Sequence, residues 1–330
     1  MDPSTIQDWF FKENGERALA RDTINDALVW GARDYFRNNG FRWVEVPTIS
    51  RITGACENVD TLYALTHGKS EAYLAQTGQL YLETKIPGHK KVWTIMQSSR
   101  NEQRADARHL NQFTLVEFEE LGGFAGLLER IEAVVKAMMA AAIKEEAAFS
   151  TLEKSTEEVE GWLAKPFGRI TYRDALRLLD GTRLEARFGH DLGAAEEQYV
   201  VEKLGQKPTF ITNYPTAIKF FNMRQHPEYP AVVNSADLIL PYAGEAVGSA
   251  ERENDHARLV RRLKESPMFK TLEKRGKTID DFLPYLEFVK AHPALHSGCG
   301  IGLARVTQAV LGEKDIRTGV PYPLTAETLY

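Results

Sequence analysis

Two strand-like runs joined by a long, charged connection constrain this chain most. Residues 92–96 (VWTIM) and 113–119 (FTLVEFE) both carry strand signals, and the second alternates like a strand with one wet face. A hairpin needs only a few residues to turn. The connection here holds Arg100, Glu102, Arg104, Asp106, Arg108 and His109, far more charge than turning requires. It is either a solvated surface loop or a cradle for a polyanion.

The rest of the chain supplies the frame. A helix is expected over 17–38, with Ile24, Leu28, Ala32, Tyr35 and Phe36 on one face and "NNG" as its stop. "FRWVEVPTIS" reads as a short strand ending at Pro47, and "EAYLA" as another. A long helix fits 126–147, its stripe running from Leu127 to Ile143 as core. Signals weaken from 149 to 207, so 150–207 is expected to be an insertion or small subdomain within a single domain spanning 1–330. In it, "GRITYRDALRLLDG" reads as a strand and then a helix, with Thr171 or Asp174 near the helix start. Strands return at "PTFIT", "AVVNSADLILP" and "GEAVGS", and "SGCGIGLARVTQAVLG" is a glycine-rich strand running into a helix. This order predicts an α+β fold with a mainly antiparallel sheet flanked by helices.

Totals exclude several classes. With 43% hydrophobic and 26% charged residues the chain is not disordered. A net charge of −5 gives no global footprint for nucleic acid. Two cysteines, Cys56 and Cys299, cannot build a disulfide framework or a metal cluster, and read as small buried fillers. No apolar run is long enough for a membrane span and no signal peptide is evident, so a cytoplasmic location is expected.

Two further constellations carry chemistry. In "ADLILPYAGEAVGSAERE", Asp237 and Glu245 sit in adjoining strand-like segments, with Gly248, Ser249, Arg252 and Glu253 beyond. They form either a Mg²⁺ site beside phosphates or a salt-bridged hairpin. In "GCGIGLAR", Gly298, Gly300 and Gly302 alternate along a strand before Arg305. That face either packs tightly on a helix or lets a ring lie flat on the sheet. His292 and His296 read as loop residues in preference to acceptor-site bases, and Lys219 in "AIKFF" as an exposed strand lysine unless it belongs to a site.

In this order the pieces resemble the catalytic core of a class II aminoacyl-tRNA synthetase. "FRWVEVPTIS" is similar to the first motif of that class, "SRNE…RHLNQFTLVEFE" to the second and "GCGIGLAR" to the third. Within the class, "ITGACENVDTLY", "TGQLYLE", "YPTAIKFFNMR" and "DLILPYAGEAVGSAERE" resemble the aspartyl/asparaginyl group, nearest to asparaginyl-tRNA synthetase. The resemblance implies ATP and Mg²⁺ as partners of the site. It gives Arg100 and Arg305 the catalytic roles: Arg100 would grip the α-phosphate and the attacked carboxylate, and Arg305 would stack on the adenine or bind the γ-phosphate. ATP would be held by Arg100, Glu102, Arg108, His109, Phe113, Glu245, Gly302 and Arg305, and the metal by Asp237 and Glu245. The amino acid would meet Glu57, Gln76, Gln79, Glu83 and Arg252. Leu82 stands where aspartyl enzymes place a lysine, and Glu83 can accept from an amide, so asparagine is expected over aspartate. A homodimer through the segment around Pro47 is implied as well.

Some sixteen residues precede the first core helix, too few for the anticodon-reading domain of this family. Ser99 stands for the usual phenylalanine before Arg100, and Leu324 for a common arginine. These departures bear on tRNA charging more than on adenylation. The expected function is therefore an ATP-dependent ligase that forms an asparaginyl adenylate and passes it to an amine, carrier or small-molecule acceptor, with full tRNA recognition not expected. The alternatives are an aspartate–ammonia ligase acting through β-aspartyl-AMP, and a catalytically silent paralogue that binds amino acid, ATP or tRNA.

Overall fold

One eight-stranded sheet forms the frame of the fold, and most residues singled out above lie on its central strands and on the loops and helices that adjoin them. The computed structural model describes residues 3–51 and 59–329. Its strands are β1 (Arg42–Trp43), β2 (Ile49–Ser50), β3 (Ala64–His67), β4 (Ser70–Leu74), β5 (Lys91–Ser99), β6 (Gln112–Leu121), β7 (Gly168–Thr171), β8 (Thr209–Thr212), β9 (Ser235–Leu240), β10 (Gly244–Glu251) and β11 (His296–Gly302). The large sheet runs β1-β5-β6-β11-β10-β9-β8-β7, and a small one runs β2-β4-β3. The fold is α+β, as expected, and its central pairings are antiparallel. Its two edges differ, because β1–β5 and β7–β8 pair in parallel. Parallel neighbours need long crossovers. The small sheet separates β1 from β5, and helices Tyr172–Leu179 and Ala194–Lys203 separate β7 from β8.

The alternation in β6 decides where the site lies. Val116 and Phe118 point into the main core, beneath helices Glu16–Asn38 and Phe124–Ala142. There Phe36 stacks on Trp93 at 4.9 Å and meets Phe118 at 5.7 Å. Each such fully buried large side chain is worth about 1.5–3 kcal/mol. The opposite face of β6 is not wet. Glu117 and Glu119 are 3% and 1% exposed, because that face forms the wall of a cleft.

The helix expected over 126–147 is two helices, Phe124–Ala142 and Glu146–Leu152. The apolar stripe gives way to Lys144-Glu145-Glu146, where the backbone bonds tighten to the third residue back (Lys144 N to Ala141 O, Glu145 N to Ala142 O). The 150–207 segment adds β7 to the sheet edge. It packs Tyr172, Leu176, Leu179, Val200 and Val201 against Ile211 of β8 and Ile239 of β9. Thr171 caps its helix by accepting from Asp174 N at 3.1 Å. A second layer of helices, His256–Glu265, Pro267–Lys274 and Ile279–Ala291, forms its own core with Tyr73 and Leu80. No helix among the described residues is long and apolar enough to cross a membrane.

Candidate active site

A cleft of about 290 Å³ opens over β6, β11 and β10. Its floor is flat because of register. Gly300 pairs with Glu117 on one side and Gly248 on the other, and Gly298 pairs with Glu119 and Ala250. A side chain at Gly298 would run into Phe118 O and the Glu119 carboxylate, so close carboxylate packing requires glycine there.

One end of the cleft is cationic. Arg100 leaves β5 and lays its guanidinium 5.5 Å from the Phe113 ring centre. Its Nε is buried without a hydrogen-bond partner among the described residues. Arg108 reaches Glu197 at 3.1 Å. Arg305, from helix Leu303–Val310, donates to Arg108 O at 2.6 Å and to the carbonyl of Ala243. Burial, reinforced by neighbouring Arg108, pushes Arg305 down to about 10. Glu102, His109, Glu245 and Gly302 line the same end. His109 is half-exposed and bonds Asp106 at 2.8 Å.

The other end is a closed network of charges. Glu83 is 2% exposed. Its oxygens accept from Gln79 Nε2 at 2.6 Å, Tyr285 Oη at 2.9 Å and Asn222 Nδ2 at 3.4 Å, and meet His296 Nε2 at 3.1 Å. Burial opposes the charged carboxylate. The hydrogen bond and charge of His296, with Arg252 and Tyr285, overcome it and hold Glu83 below its ordinary value. His296 is raised in turn: burial opposes its charged form, but the hydrogen bond and charge of Glu83, with the charge of Glu119 and the Ala294 carbonyl, together overcome it. Arg252 gives Nε and Nη2 to Glu119 Oε1, at 3.1 and 2.6 Å. Glu117 accepts from Thr77 Oγ1 and from Gly78 N at 2.8 Å, and burial pushes it up to about 7.

The cleft brings together Gln76, Gln79, Arg100, Glu102, Arg108, His109, Phe113, Glu245, Arg252, Gly302 and Arg305 from four stretches of chain. Glu83 lies behind this surface: it grips Gln79 and does not itself line the cleft. Glu57 and Cys56 lie outside the described residues. Asp237 is buried and pairs with Lys219 Nζ at 2.7 Å, so Lys219 is not the exposed strand lysine expected. That lysine also lies 4.2 Å from the Tyr214 ring centre. Of the two expected metal carboxylates, only Glu245 lines the cleft, its Oε1 close over Gly248. No group of three potential metal ligands occurs among the described residues. One carboxylate still suits Mg²⁺, which takes one or two alongside phosphate oxygens.

Sequence reading missed Glu117, Glu119 and Glu197, and it favoured a loop for His296. The first two alternate with core residues and pass for a solvated face. His296 follows "HPAL" and passes for loop, yet it opens β11 and is buried. Only the cross-chain pairings would have marked them.

Comparison with known proteins identifies the family and the fold. A family model described as tRNA synthetases class II (D, K and N) matches residues 14–326. The chain is 32% identical over 317 residues to the asparagine–tRNA ligase of Thermococcus gammatolerans, covering 93% of this chain and 69% of the relative. It is 32% identical over 318 residues to that of Lactococcus lactis subsp. cremoris, covering 93% and 68%. The crystal structure of asparaginyl-tRNA synthetase from Pyrococcus horikoshii complexed with asparaginyl-adenylate matches with a TM-score of 0.90 at 29% identity, over 100% of this chain and 74% of that one. The Entamoeba histolytica asparaginyl-tRNA synthetase, also in complex with asparaginyl-adenylate, gives 0.77 at 25% identity, over 94% and 69%.

Proposed function

We propose, from the premise that this chain belongs to the tRNA synthetase class II (D, K and N) family, that it uses ATP to activate asparagine as an aminoacyl adenylate. The observation that carries this reading is the grip of Glu83 on Gln79 beside Arg252. A carboxylate only accepts, so it takes the Gln79 NH₂ and leaves the Gln79 carbonyl oxygen for a substrate amide NH₂. Glu119 takes two Arg252 nitrogens and leaves Nη1 to donate to the substrate's side-chain oxygen. Leu82 offers no cation for a substrate carboxylate, and Glu83 and Glu119 would repel one. The Pyrococcus horikoshii likeness supports the same substrate.

Glu117 lines the cleft with Gln76 and, among the described residues, is the carboxylate we assign to the substrate ammonium, the part expected of Glu57. A substrate carboxylate oxygen then attacks the α-phosphorus, pyrophosphate leaves, and no protein nucleophile is required. Arg100 grips the α-phosphate, and Arg108, His109 and Arg305 grip the rest. Phe113 and Gly302 bracket the adenine, and Glu102 accepts from its amino group. Positioning and charge neutralisation supply the catalysis. Mg²⁺, when bound, neutralises phosphate charge. Glu245 would hold it, while Asp237 is already neutralised by Lys219.

The adenylate is passed to an acceptor other than an anticodon-read tRNA. The net charge of −5 and the departures at Ser99 and Leu324 support this. Leu324 is tied to the charged loop through its carbonyl, which accepts from Asn111 N at 2.7 Å. Residues 1–330 form one catalytic domain, with 150–207 inserted in it. Exposed Trp43 and Ile49, either side of Pro47, support a homodimer through that segment.

The test is mass detection of asparaginyl-AMP from asparagine and ATP, followed by trials with amines, ammonia and tRNA. Adenylate consumed by an amine and not by tRNA is expected. Asparagine made from aspartate and ammonia would replace this reading with the aspartate–ammonia ligase. No adenylate from either amino acid would leave the silent paralogue.

A further inference from the structure

We propose that Glu197 is the positioning residue of the cleft's cationic end, holding the Arg108 guanidinium where the terminal phosphates of a nucleotide arrive. The inference rests on the reading of that end as an ATP site, and it gives the 150–207 segment a part in that site. Glu197 sits in the first turn of helix Ala194–Lys203 and turns inward. It is 5% exposed and does not line the cleft, so it acts through Arg108. Its Oε2 accepts from Arg108 Nη2 at 3.1 Å.

Two further contacts make this more than a chance ion pair. Arg108 belongs to a loop whose Arg104, Asp106 and His109 are exposed. Such a side chain normally samples many rotamers. Here its main-chain carbonyl accepts from Arg305 while its guanidinium is held by Glu197, so the residue is pinned at both ends. The pair is also wedged over Gly244, whose φ is +75°. A Cβ there would come within 2.8 Å of Arg108 Nη2 and 3.1 Å of Glu197 Oε2. The β9–β10 turn leaves room for the pair only with glycine. The remaining guanidinium edge is left for phosphate.

The test reads ATP affinity by calorimetry and, separately, ATP KM and kcat in pyrophosphate exchange. Glu197→Ala should weaken ATP binding and raise ATP KM about tenfold, with kcat and the asparagine KM within about threefold. Glu197→Gln keeps an acceptor oxygen and should recover to within about threefold of the parent. Added to Arg108→Ala, Glu197→Ala should cost nothing further, because one acts through the other. Additive losses in that cycle, or unchanged ATP affinity in a folded Glu197→Ala protein, would overturn the proposal. Should Glu197→Ala not fold, Glu197→Asp, which withdraws the oxygen by one methylene, is read the same way. A protein that binds ATP but exchanges no amino acid would sink the substrate reading alone, and the calorimetry would still decide Glu197. A protein that binds no ATP would overturn both.

Discussion

The two ends of the cleft are built on opposite plans. At the amino-acid end, charges are buried and spent on one another: Glu83 meets Gln79, Tyr285, Asn222 and His296, and Arg252 is forked by Glu119. At the phosphate end, the cations rest on weaker partners: main-chain carbonyls for Arg305, an aromatic face for Arg100, and one carboxylate for Arg108. A neutral amide must be told from a carboxylate of nearly the same shape, and that takes fixed, satisfied polar groups. A polyphosphate brings its own charge and needs donors that can be released to it.

The largest expected effect breaks the phosphate end. Arg100→Ala should lower exchange kcat by about 10²–10³, as loss of a donor to developing charge does, with the melting temperature unchanged. Loss of stability instead would mean that Arg100 is structural. Next, Arg252→Ala should strand Glu119 and cost about 3–5 kcal/mol in denaturant unfolding, yet leave ATP affinity intact. A matching fall in ATP affinity would show that the two ends are not separate. The contrast sharpens with pH. Burial sets Glu117 at about 7, so below that it is largely protonated and cannot pair with an ammonium. The asparagine KM should fall as pH rises through about 7, and Glu117→Gln should flatten the profile; the ATP KM should change by no more than about threefold, because Glu197, which burial also sets at about 7, keeps an acceptor oxygen for Arg108 when protonated. A profile that survives Glu117→Gln would assign it to another group. The smallest effect is expected at His109, whose half-exposed pair with Asp106 is worth about 0–1 kcal/mol. His109→Ala should change the ATP KM less than about fivefold, and a larger change would make it a principal phosphate ligand.

What could be read from sequence divides along similar lines. The hairpin, the glycine strand and the arginines of the charged loop were legible because their signals are local: alternation, turn chemistry and clustered charge. The antiparallel order followed from them. Glu117 and Glu119 were hidden because a cleft-facing carboxylate and a solvent-facing one give the same alternation. His296 and Lys219 were read as loop and surface, since their partners Glu83 and Asp237 lie 213 and 18 residues away. Glu197 lay in the stretch with the weakest periodicity, and only helix packing against β9 and β10 brings it to Arg108. Edge strands β1 and β7 pair in parallel through long crossovers that no local signal encodes.

The most direct test of the account is amino-acid-dependent ATP–pyrophosphate exchange, run without tRNA on asparagine and aspartate side by side. The account predicts exchange with asparagine at least about 100-fold more efficient than with aspartate, the scale a hydrogen-bonding pocket can impose. Exchange with aspartate equal to or above that with asparagine would contradict it.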